Sequence, residues 1–320
     1  KGLKMTKQTI MSERKIDVLC VGEVLIDFIA HQIGATIDET RDYHRYLGGS
    51  PTNVAMNCSR LGLQSQLICT VGKDGFGSYI FKRLKEVGVI TSGIQTLTNK
   101  PSSVIFVSRT EGTPDFIPYR EADAHIEESQ ISSEVLAQSK IYHTTCFALS
   151  RLPAQKTILT KAEEAYRLGC KLSIDLNYAD ELWDSKAAAF EIIKAYCAFN
   201  PLIKVSADDM FRLFDKTLSH DEIFDFFHQA GAELVCLTLG GDGVKCAQKG
   251  KATIALPAIK LEKIMDATGA GDAFWSGFLF AYIKEKPITE CLQIALKLAA
   301  LKLQNIGRLP NNINVISELL

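Results

Sequence analysis

The sequence predicts an α/β protein with three layers, α/β/α, in which helices cover both faces of a doubly wound, mostly parallel β-sheet, together with a small β-sheet lid. Short, continuous apolar runs such as 18–21 are typical of strands that are buried on both faces. From residue 140 onward, strand-like and helix-like segments alternate, which favours parallel strands joined by helices. Two ribbon-like segments, about 28–47 and 101–121, interrupt this alternation, and we expect them to form the lid.

The individual elements follow in order from hydrophobic periodicity and capping signals. The first strand lies within the apolar segment 15–30. Ser50, followed by Pro51, is a candidate cap for a helix that leads into a strand and a second helix. The pattern of 102–119 is typical of a hairpin with its turn at 111–114. Further helices are expected at 154–168, 186–198, 207–214, 221–230 and about 288–305, with strands between them and a hairpin-like piece at 243–257.

Composition fits one large domain or one domain plus an appendage. We expect the domain at 15–320, preceded by a polar, disordered tail at 1–14 that lacks the apolar stretch of a secretory signal. The net charge of −1 gives no basic excess that would favour nucleic acid or an anionic membrane surface. No apolar run approaches the ~20 residues of a membrane span. The nine cysteines are dispersed, without a C-x-x-C pair, which is typical of a cytoplasmic protein and disfavours disulfide or metal roles.

The stretch MDATGAGDAFWSGFLFAY, residues 265–282, is the strongest candidate for a ligand site. Its glycines permit close approach of a ligand, and the helix that follows offers unpaired N–H groups and a partial positive charge at its N-terminus. These features favour an anion, most often phosphate. Asp272 in the first turn is either a favourable first-turn acid or, as in kinases, the base that accepts a proton from a hydroxyl nucleophile.

Three other loops have weaker signals. In LGGSPTNVA, residues 47–55, the glycines permit close approach and Asn53 could aim its amide into a pocket, although a plain turn and cap would also explain the pattern. Asp27 is a lone acid in an apolar strand; it either pairs with the hydroxyls of a ligand or faces solvent. TLGGDGVKC, residues 238–246, fits a nucleotide-phosphate loop or a hairpin turn. Neither a Walker A loop nor a dinucleotide fingerprint occurs, which disfavours an NAD-dependent dehydrogenase.

Two motifs resemble a known family. DATGAGDAFWSGFL resembles the C-terminal signature, D-T-x-G-A-G-D, of the ribokinase-like (phosphofructokinase-B-type) carbohydrate kinases. GGSPTNVAMNCSRLGLQSQLICTVGKDGFG is similar to the N-terminal Gly-Gly signature of that family, and the two stand in the expected order. The resemblance covers the chain from Ile16 onward, and GEVLIDFI and DFIPYREADA are most similar to the fructokinase branch. It implies a three-layer domain with a β-sheet lid and ATP-dependent phosphorylation of a sugar hydroxyl.

The resemblance also implies roles for individual residues. Asp272 matches the catalytic base, and the anion hole matches Gly269, Ala270 and Gly271. Contacts with sugar hydroxyls are implied for Asp27, Gly48, Gly49 and Asn53. Nucleotide phosphates are implied to bind at Thr238, Gly240, Gly241 and Gly243, with Asn305 beside the adenine. A monovalent cation such as K⁺, which many members bind, would involve Asp266 and Thr268, and Mg²⁺ would accompany ATP.

The chain departs from the family pattern at two elements. The N-x-x-E element appears as Ser206 to Asp209, so Asp209 takes the acidic role toward Mg²⁺ through water and Ser206 is a weaker match on the nucleotide side. In the D-x-N-x-R element, Asn177 is present as a substrate contact but Ala179 replaces the arginine. This replacement favours a neutral ketohexose over 2-keto-3-deoxygluconate, although Arg120 could supply a charge from the lid side.

The expected function is therefore ATP-dependent phosphorylation of a primary hydroxyl of a ketohexose, most simply fructose to fructose 6-phosphate. The alternatives are a kinase for 2-keto-3-deoxygluconate, for another sugar or for a nucleoside, and a catalytically silent regulator that binds sugar or nucleotide. A homodimer through the lid is expected because a small flap cannot bury all of its apolar side chains. Those side chains are Phe28, Ile33, Ile105, Phe106 and Phe116.

Overall fold

The computed structural model describes residues 13–109, 116–311 and 313. Its strands are β1 (Ile16–Val21), β2 (Leu25–Ala30), β3 (Tyr43–Gly48), β4 (Ser65–Gly72), β5 (Ile94–Leu97), β6 (Val104–Val107), β7 (Phe116–Tyr119), β8 (Ser139–Thr145), β9 (Lys171–Asp175), β10 (Leu202–Ser206), β11 (Leu234–Thr238), β12 (Val244–Gln248) and β13 (Ile254–Leu256). Its helices are α1 (Ser50–Arg60), α2 (Gly75–Glu86), α3 (Ser133–Ala137), α4 (Ala154–Arg167), α5 (Lys186–Cys197), α6 (Ala207–Phe214), α7 (His220–Ala230), α8 (Ala270–Ile283) and α9 (Ile288–Leu303).

The large sheet confirms the predicted fold. Across the described residues its order is β13-β12-β11-β10-β9-β8-β1-β4-β5. The strands from β11 to β5 pair in parallel, whereas β12 and β13 are antiparallel. Alternate residues of β1 pack into different apolar clusters. Leu19 and Val21 belong to one cluster, and Val18 and Cys20 belong to the other. Since side chains of a strand point alternately to opposite faces, the sheet has a packed helical layer on each side.

The lid is a separate sheet with the order β3-β2-β6-β7. β2 pairs antiparallel with β3 and parallel with β6, and β6 pairs antiparallel with β7. The segment 15–30 is therefore two strands, because the chain leaves the large sheet after Val21 and enters the lid at Leu25. The turn expected at 111–114 lies outside the described residues. So does most of the expected tail; Arg14, at its end, is already buried and donates to the carbonyl of Leu168.

Helix α8 is apolar on all sides because it lies inside the molecule. Residues 273–281 are all buried, and Trp275 stacks on Phe278 with ring centroids 4.8 Å apart. The Trp275 indole donates to the hydroxyl of Ser173 on β9 at 2.9 Å, which ties the helix to the sheet. A Cβ on Gly277 would meet the Cα of Ala295 at 3.0 Å, so this glycine lets α9 pack closely.

Two further features follow from burial. All nine cysteines are buried free thiols. No helix in the described part of the chain combines the length and apolar character that a bilayer crossing requires.

Candidate active site

A cavity of about 1070 Å³ lies between the lid and the loops beyond the strands of the large sheet. Lid residues Asp27 and Ile105 line one side, and Asn53 of α1 and Asn177 after β9 line another. The loop that ends at Gly269 closes the remaining side. The structure thus brings together side chains from distant parts of the sequence at the place where open α/β sheets bind ligands.

Asp272 is held by two residues of the helix that follows the Gly-Gly loop. Its Oδ1 accepts the hydroxyl of Ser50 at 2.6 Å, and its Oδ2 accepts the amide of Asn53 at 2.8 Å. Burial raises the pKa of Asp272 above the ordinary aspartate value, although these two hydrogen bonds and the nearby Lys204 oppose the rise. A fixed carboxylate with increased basicity suits a group that accepts a proton.

The turn before α8 provides backbone donors for an anion. Gly269 has a φ of 74°, a left-handed conformation that favours glycine, and α8 begins at the next residue. Ala270 N donates to Ala267 O at 3.2 Å. In the described part of the chain, the N–H groups of Gly269 and Gly271 have no protein acceptor. They are therefore free to bind an anion at the positive end of the helix.

Lys204 is a charged residue of the site that the motif analysis missed. Its Nζ lies 3.0 and 3.1 Å from the two oxygens of Asp175, and both side chains are buried. A Cβ on Gly271 would lie 2.9 Å from this Nζ, so the ammonium packs directly against the anion turn. Burial would lower the pKa of Lys204, but Asp175 and Asp209 raise it, and the lysine stays protonated. The sequence feature that could have identified Lys204 as a site residue is its position as a lone lysine in the otherwise apolar segment LIKVS.

Asp27 lies against the backbone of the Gly-Gly loop. A Cβ on Gly48 would be 2.1 Å from Asp27 Oδ2, so only glycine leaves room for this carboxylate. Burial, and then the charge of Asp272, raise the pKa of Asp27 to about 7. The sequence left open whether Asp27 faces solvent, and the structure places it in the cavity wall.

Glu23 stabilises this part of the cavity wall through buried hydrogen bonds. It is 1% exposed, accepts Ser50 N at 3.0 Å and accepts the hydroxyl of Thr145 at 2.7 Å. The hydroxyl of Thr52 donates to the Glu23 carbonyl, and a Cβ on Gly49 would lie 2.4 Å from that carbonyl oxygen. Glu23 therefore fixes the start of α1, from which Ser50 and Asn53 reach Asp272.

Asn177 and Arg120 differ in their access to the cavity. Asn177 lines it, with Oδ1 accepting Phe147 N at 3.1 Å. Arg120 does not line it: the guanidinium pairs with Asp123 at 2.6 Å, donates to Ser150 and packs over the ring of Phe147. Arg120 therefore stabilises the packing beside the lid and does not face the cavity.

The residues matched to the nucleotide lie at the neighbouring strand ends, outside the cavity wall. Thr238 is in register with Ser206 on the adjacent parallel strand, so both loops leave the same edge of the sheet. Gly240 and Gly241 are exposed, whereas Gly243 is buried against Leu256. Asn305 also lies outside the wall; its side chain donates to Leu301 O at 2.7 Å.

Ser206 and Asp209 form a helix cap. The Ser206 hydroxyl accepts Asp209 N at 3.0 Å, and Asp209 Oδ2 accepts Ser206 N at 2.9 Å. Asp209 also pairs with Arg212 at 2.8 Å and lines the cavity. No group of three or more metal-binding side chains occurs among the described residues. Because Ser206 and Arg212 already donate to both oxygens of Asp209, this carboxylate would reach a Mg²⁺ ion only through water, and substrate phosphates would have to hold the ion.

Arginines give part of the cavity a positive charge. Arg60 at the end of α1 and Arg83 of α2 both line it. Arg60 Nη1 donates to Asn57, whereas its buried Nε and Nη2 have no partner among the residues that the structure describes. Burial and the neighbouring Arg83 lower the pKa of Arg60 to about 10. This wall can bind an anionic group of a ligand.

Known proteins with similar sequences cover nearly the whole chain. The profile of the pfkB family of carbohydrate kinases matches residues 15–312. An ATP-dependent 6-phosphofructokinase of Thermoanaerobacterium thermosaccharolyticum is 34% identical over 298 residues, which cover 93% of this chain and 91% of that relative. A probable fructokinase-5 of Arabidopsis thaliana is 30% identical over 277 residues, 85% of either chain.

Solved structures are similar over nearly the whole chain. A fructokinase of Halothermothrix orenii is 34% identical, with a TM-score of 0.77 over 89% of this chain and 98% of that chain. A sugar kinase of Pyrococcus horikoshii in complex with ATP is 25% identical, with a TM-score of 0.82 over 95% of this chain and 100% of that chain.

Proposed function

Since the chain belongs to the pfkB family of carbohydrate kinases, we propose that it transfers the γ-phosphoryl group of ATP to a primary hydroxyl of fructose and so forms fructose 6-phosphate. Family membership makes the chain a sugar kinase; the choice of sugar is the proposed part. The observation that carries the proposal is the placement of Asp272 between Ser50, Asn53 and the unpaired amides at the start of α8.

Asp272 acts as the general base. It accepts the proton of the sugar hydroxyl while the hydroxyl oxygen bonds to the γ-phosphorus and the bond from that phosphorus to ADP breaks. Ser50 and Asn53 orient the carboxylate, and its raised pKa strengthens it as a base. Asn53 also faces the cavity, so it is positioned to contact the sugar.

The surrounding residues stabilise charge and hold the sugar. In the proposed reaction, the unpaired amides of Gly269 and Gly271 and the adjacent ammonium of Lys204 stabilise the negative charge that the transferred phosphoryl group gains. Asp27 and Asn177 accept or donate hydrogen bonds to sugar hydroxyls. The glycine loop after Thr238 binds the nucleotide phosphates. Asp209 would hold, through water, a Mg²⁺ ion that would offset part of the phosphate charge. We place the enzyme in the cytoplasm.

Arg60 favours a second candidate substrate, fructose 6-phosphate. Its unpaired Nε and Nη2, beside Arg83, suit a phosphate that a neutral fructose does not carry. Sequence identity does not decide between the two sugars, because a 6-phosphofructokinase and a fructokinase are both 34% identical to this chain. An acidic sugar such as 2-keto-3-deoxygluconate would use the same arginines.

A coupled ADP-release assay with fructose, fructose 6-phosphate, 2-keto-3-deoxygluconate, ribose and adenosine tests the substrate. The proposal expects the highest kcat/KM with fructose. A higher value with fructose 6-phosphate, lost in Arg60→Ala, would establish the second candidate instead.

The role of Asp272 is tested with Asp272→Asn, which keeps the shape of the side chain but cannot accept the proton. We expect kcat to fall by about 10²–10⁴-fold while calorimetry still detects binding of sugar and ATP. Asp221→Asn changes an exposed first-turn acid of helix α7 and should leave kcat unchanged. If Asp272→Asn turns over at the wild-type rate, Asp272 is not the base.

A further inference from the structure

The residues around Asp266 do not fit the monovalent cation that the family resemblance implies. Lys302, in the last turn of α9, places its Nζ 3.1 Å from Asp266 Oδ2 and 3.1 Å from the carbonyl oxygen of Asn305. The Lys302 side chain is only 4% exposed. Carboxylate and carbonyl oxygens are the ligands that K⁺ uses in proteins. Here one lysine ammonium already binds an oxygen of each kind.

Two backbone amides also donate to Asp266, so three of its roughly four acceptor positions are occupied. Its Oδ1 accepts Thr268 N at 2.9 Å, and its Oδ2 accepts Gly307 N at 2.8 Å in addition to Lys302. Burial would raise the pKa of Asp266, but these amides and the ammonium lower it below the ordinary value. Asp266 is therefore an ionised carboxylate whose single negative charge is balanced by Lys302. A second cation beside them would be repelled by the buried ammonium.

Lys302 also connects this pair to the anion turn. Its Cε would lie 3.8 Å from a Cβ on Gly269, and its charge opposes the rise that burial causes in the pKa of Asp272. Met265 N donates to Leu303 O at 2.8 Å, so the loop that leads to Gly269 is fastened to the end of α9 beside Lys302. The ammonium thus holds in place the segment from which α8 and its free amides begin.

We infer that the Lys302 ammonium permanently takes the place of a monovalent cation beside Asp266, so that this chain needs neither K⁺ nor Na⁺ to order the loop before α8 or to turn over its substrate. Lys302 is a positioning residue, because it acts through Asp266 and the loop. The part about turnover rests on the proposed kinase function, whereas the part about loop order does not.

The first test uses the wild-type protein in KCl, NaCl and choline chloride at equal ionic strength. Choline, a bulky quaternary ammonium ion, serves as the inert reference cation. We expect the melting temperature, measured without substrates, and kcat with the best sugar and MgATP to be the same in all three salts. A saturable rise of either quantity with K⁺ over choline would overturn the inference.

The second test removes the ammonium with Lys302→Ala, with Lys297→Ala on the exposed face of the same helix as the control. In choline, loss of the buried charge partner should lower the melting temperature of Lys302→Ala by about 5–15 °C. KCl or methylammonium chloride should then restore part of that loss in a saturable manner, and should not affect Lys297→Ala. If neither cation stabilises Lys302→Ala more than the control, the position does not need a positive charge and the inference fails.

The melting experiments separate this inference from the proposed function. A wild-type protein that phosphorylates none of the tested sugars would contradict the proposed function, and its melting in the three salts would still decide the role of Lys302. Conversely, a K⁺-activated fructokinase would retain the proposed function and overturn only the inference.

Discussion

At the scale of single residues, Gly48 is required for the position of Asp27, because the missing side chain leaves the space that the Asp27 carboxylate fills. Gly48→Ala would place a Cβ 2.1 Å from Asp27 Oδ2 and push the carboxylate away from its position in the cavity wall. If Asp27 binds a sugar hydroxyl, the lost charged hydrogen bond should raise KM for the sugar by about 10–100-fold, with a smaller effect on kcat. Steady-state kinetics with varied sugar concentration measures both.

The matched control is Gly75→Ala, since Gly75 has ordinary backbone angles and open space where the new methyl group would lie. It should keep the wild-type KM. An unchanged KM in Gly48→Ala as well would mean that Asp27 does not contact the sugar.

The residues that the sequence identified and those that it missed differ in a physical way. Asp272 and Asn53 stand in motifs next to glycines, so their role as site residues is predictable, although their mutual hydrogen bond is not. Lys204 and Lys302 stand alone in apolar segments, where a lysine on a helix or strand usually reaches solvent. Only the tertiary structure brings Asp175 and Asp266 to them and so explains why they are buried.

At the scale of elements, the connector between β1 and β2 joins three parts of the site. Glu23 in this connector binds the first residue of α1 and Thr145 of β8. Burial is the largest influence on its pKa and raises it from 4.5 to about 8. The folded protein therefore holds a proton on Glu23 over a pH range in which the unfolded chain releases it.

This shift predicts a loss of stability with rising pH. Because the folded-state pKa of Glu23 is raised, its contribution is fully present below pH 4.5 and is lost as the pH rises through about 8. Glu23→Gln resembles the protonated form at every pH. Its free energy of unfolding, relative to wild type, should therefore increase between pH 5 and 8 by an amount on the order of 3 kcal/mol.

Urea unfolding at pH 5, 6.5 and 8 measures this difference. The control Glu128→Gln changes an exposed acid and should follow the wild type at each pH. Parallel pH curves for Glu23→Gln and wild type would show that Glu23 is already ionised in the folded protein.

The regular elements could be predicted because each carries its own pattern. The helices observed at Ala154–Arg167, Lys186–Cys197, Ala207–Phe214 and His220–Ala230 lie within a residue of their expected bounds. The parallel pairing of β2 with β6 could not be predicted. It joins residues far apart in the sequence, and neither the period of a strand nor a turn motif encodes such a pairing.

At the scale of the whole molecule, the lid has two faces with different contacts. Ile105 and Phe116 line the cavity, whereas Phe28 stacks on Phe106 with centroids 5.0 Å apart on the other face. Tyr119 packs edge-on against Phe106 and is 56% exposed, beside Ile117 at 40%. This half-exposed apolar surface supports the predicted homodimer through the lid.

The dimer is tested by sedimentation of Ile117→Arg, which places a charge on that surface. We expect the wild type to sediment as a dimer and Ile117→Arg to shift toward a monomer, because a buried unpaired charge opposes association. Phe211→Arg changes an exposed aromatic residue on α6, away from the lid, and should remain dimeric. A monomeric wild type at micromolar concentration would contradict the dimer.

The edges of the lid sheet bear on aggregation as well. In the described part of the lid, β3 and β7 are the outer strands. β7 carries Pro118 opposite Ile105, and a proline has no N–H with which to extend a hydrogen-bonded ladder to a further strand. β3 presents the exposed polar side chains of His44 and Arg45. Both outer strands of the lid therefore disfavour the edge-to-edge strand addition from which fibrils grow.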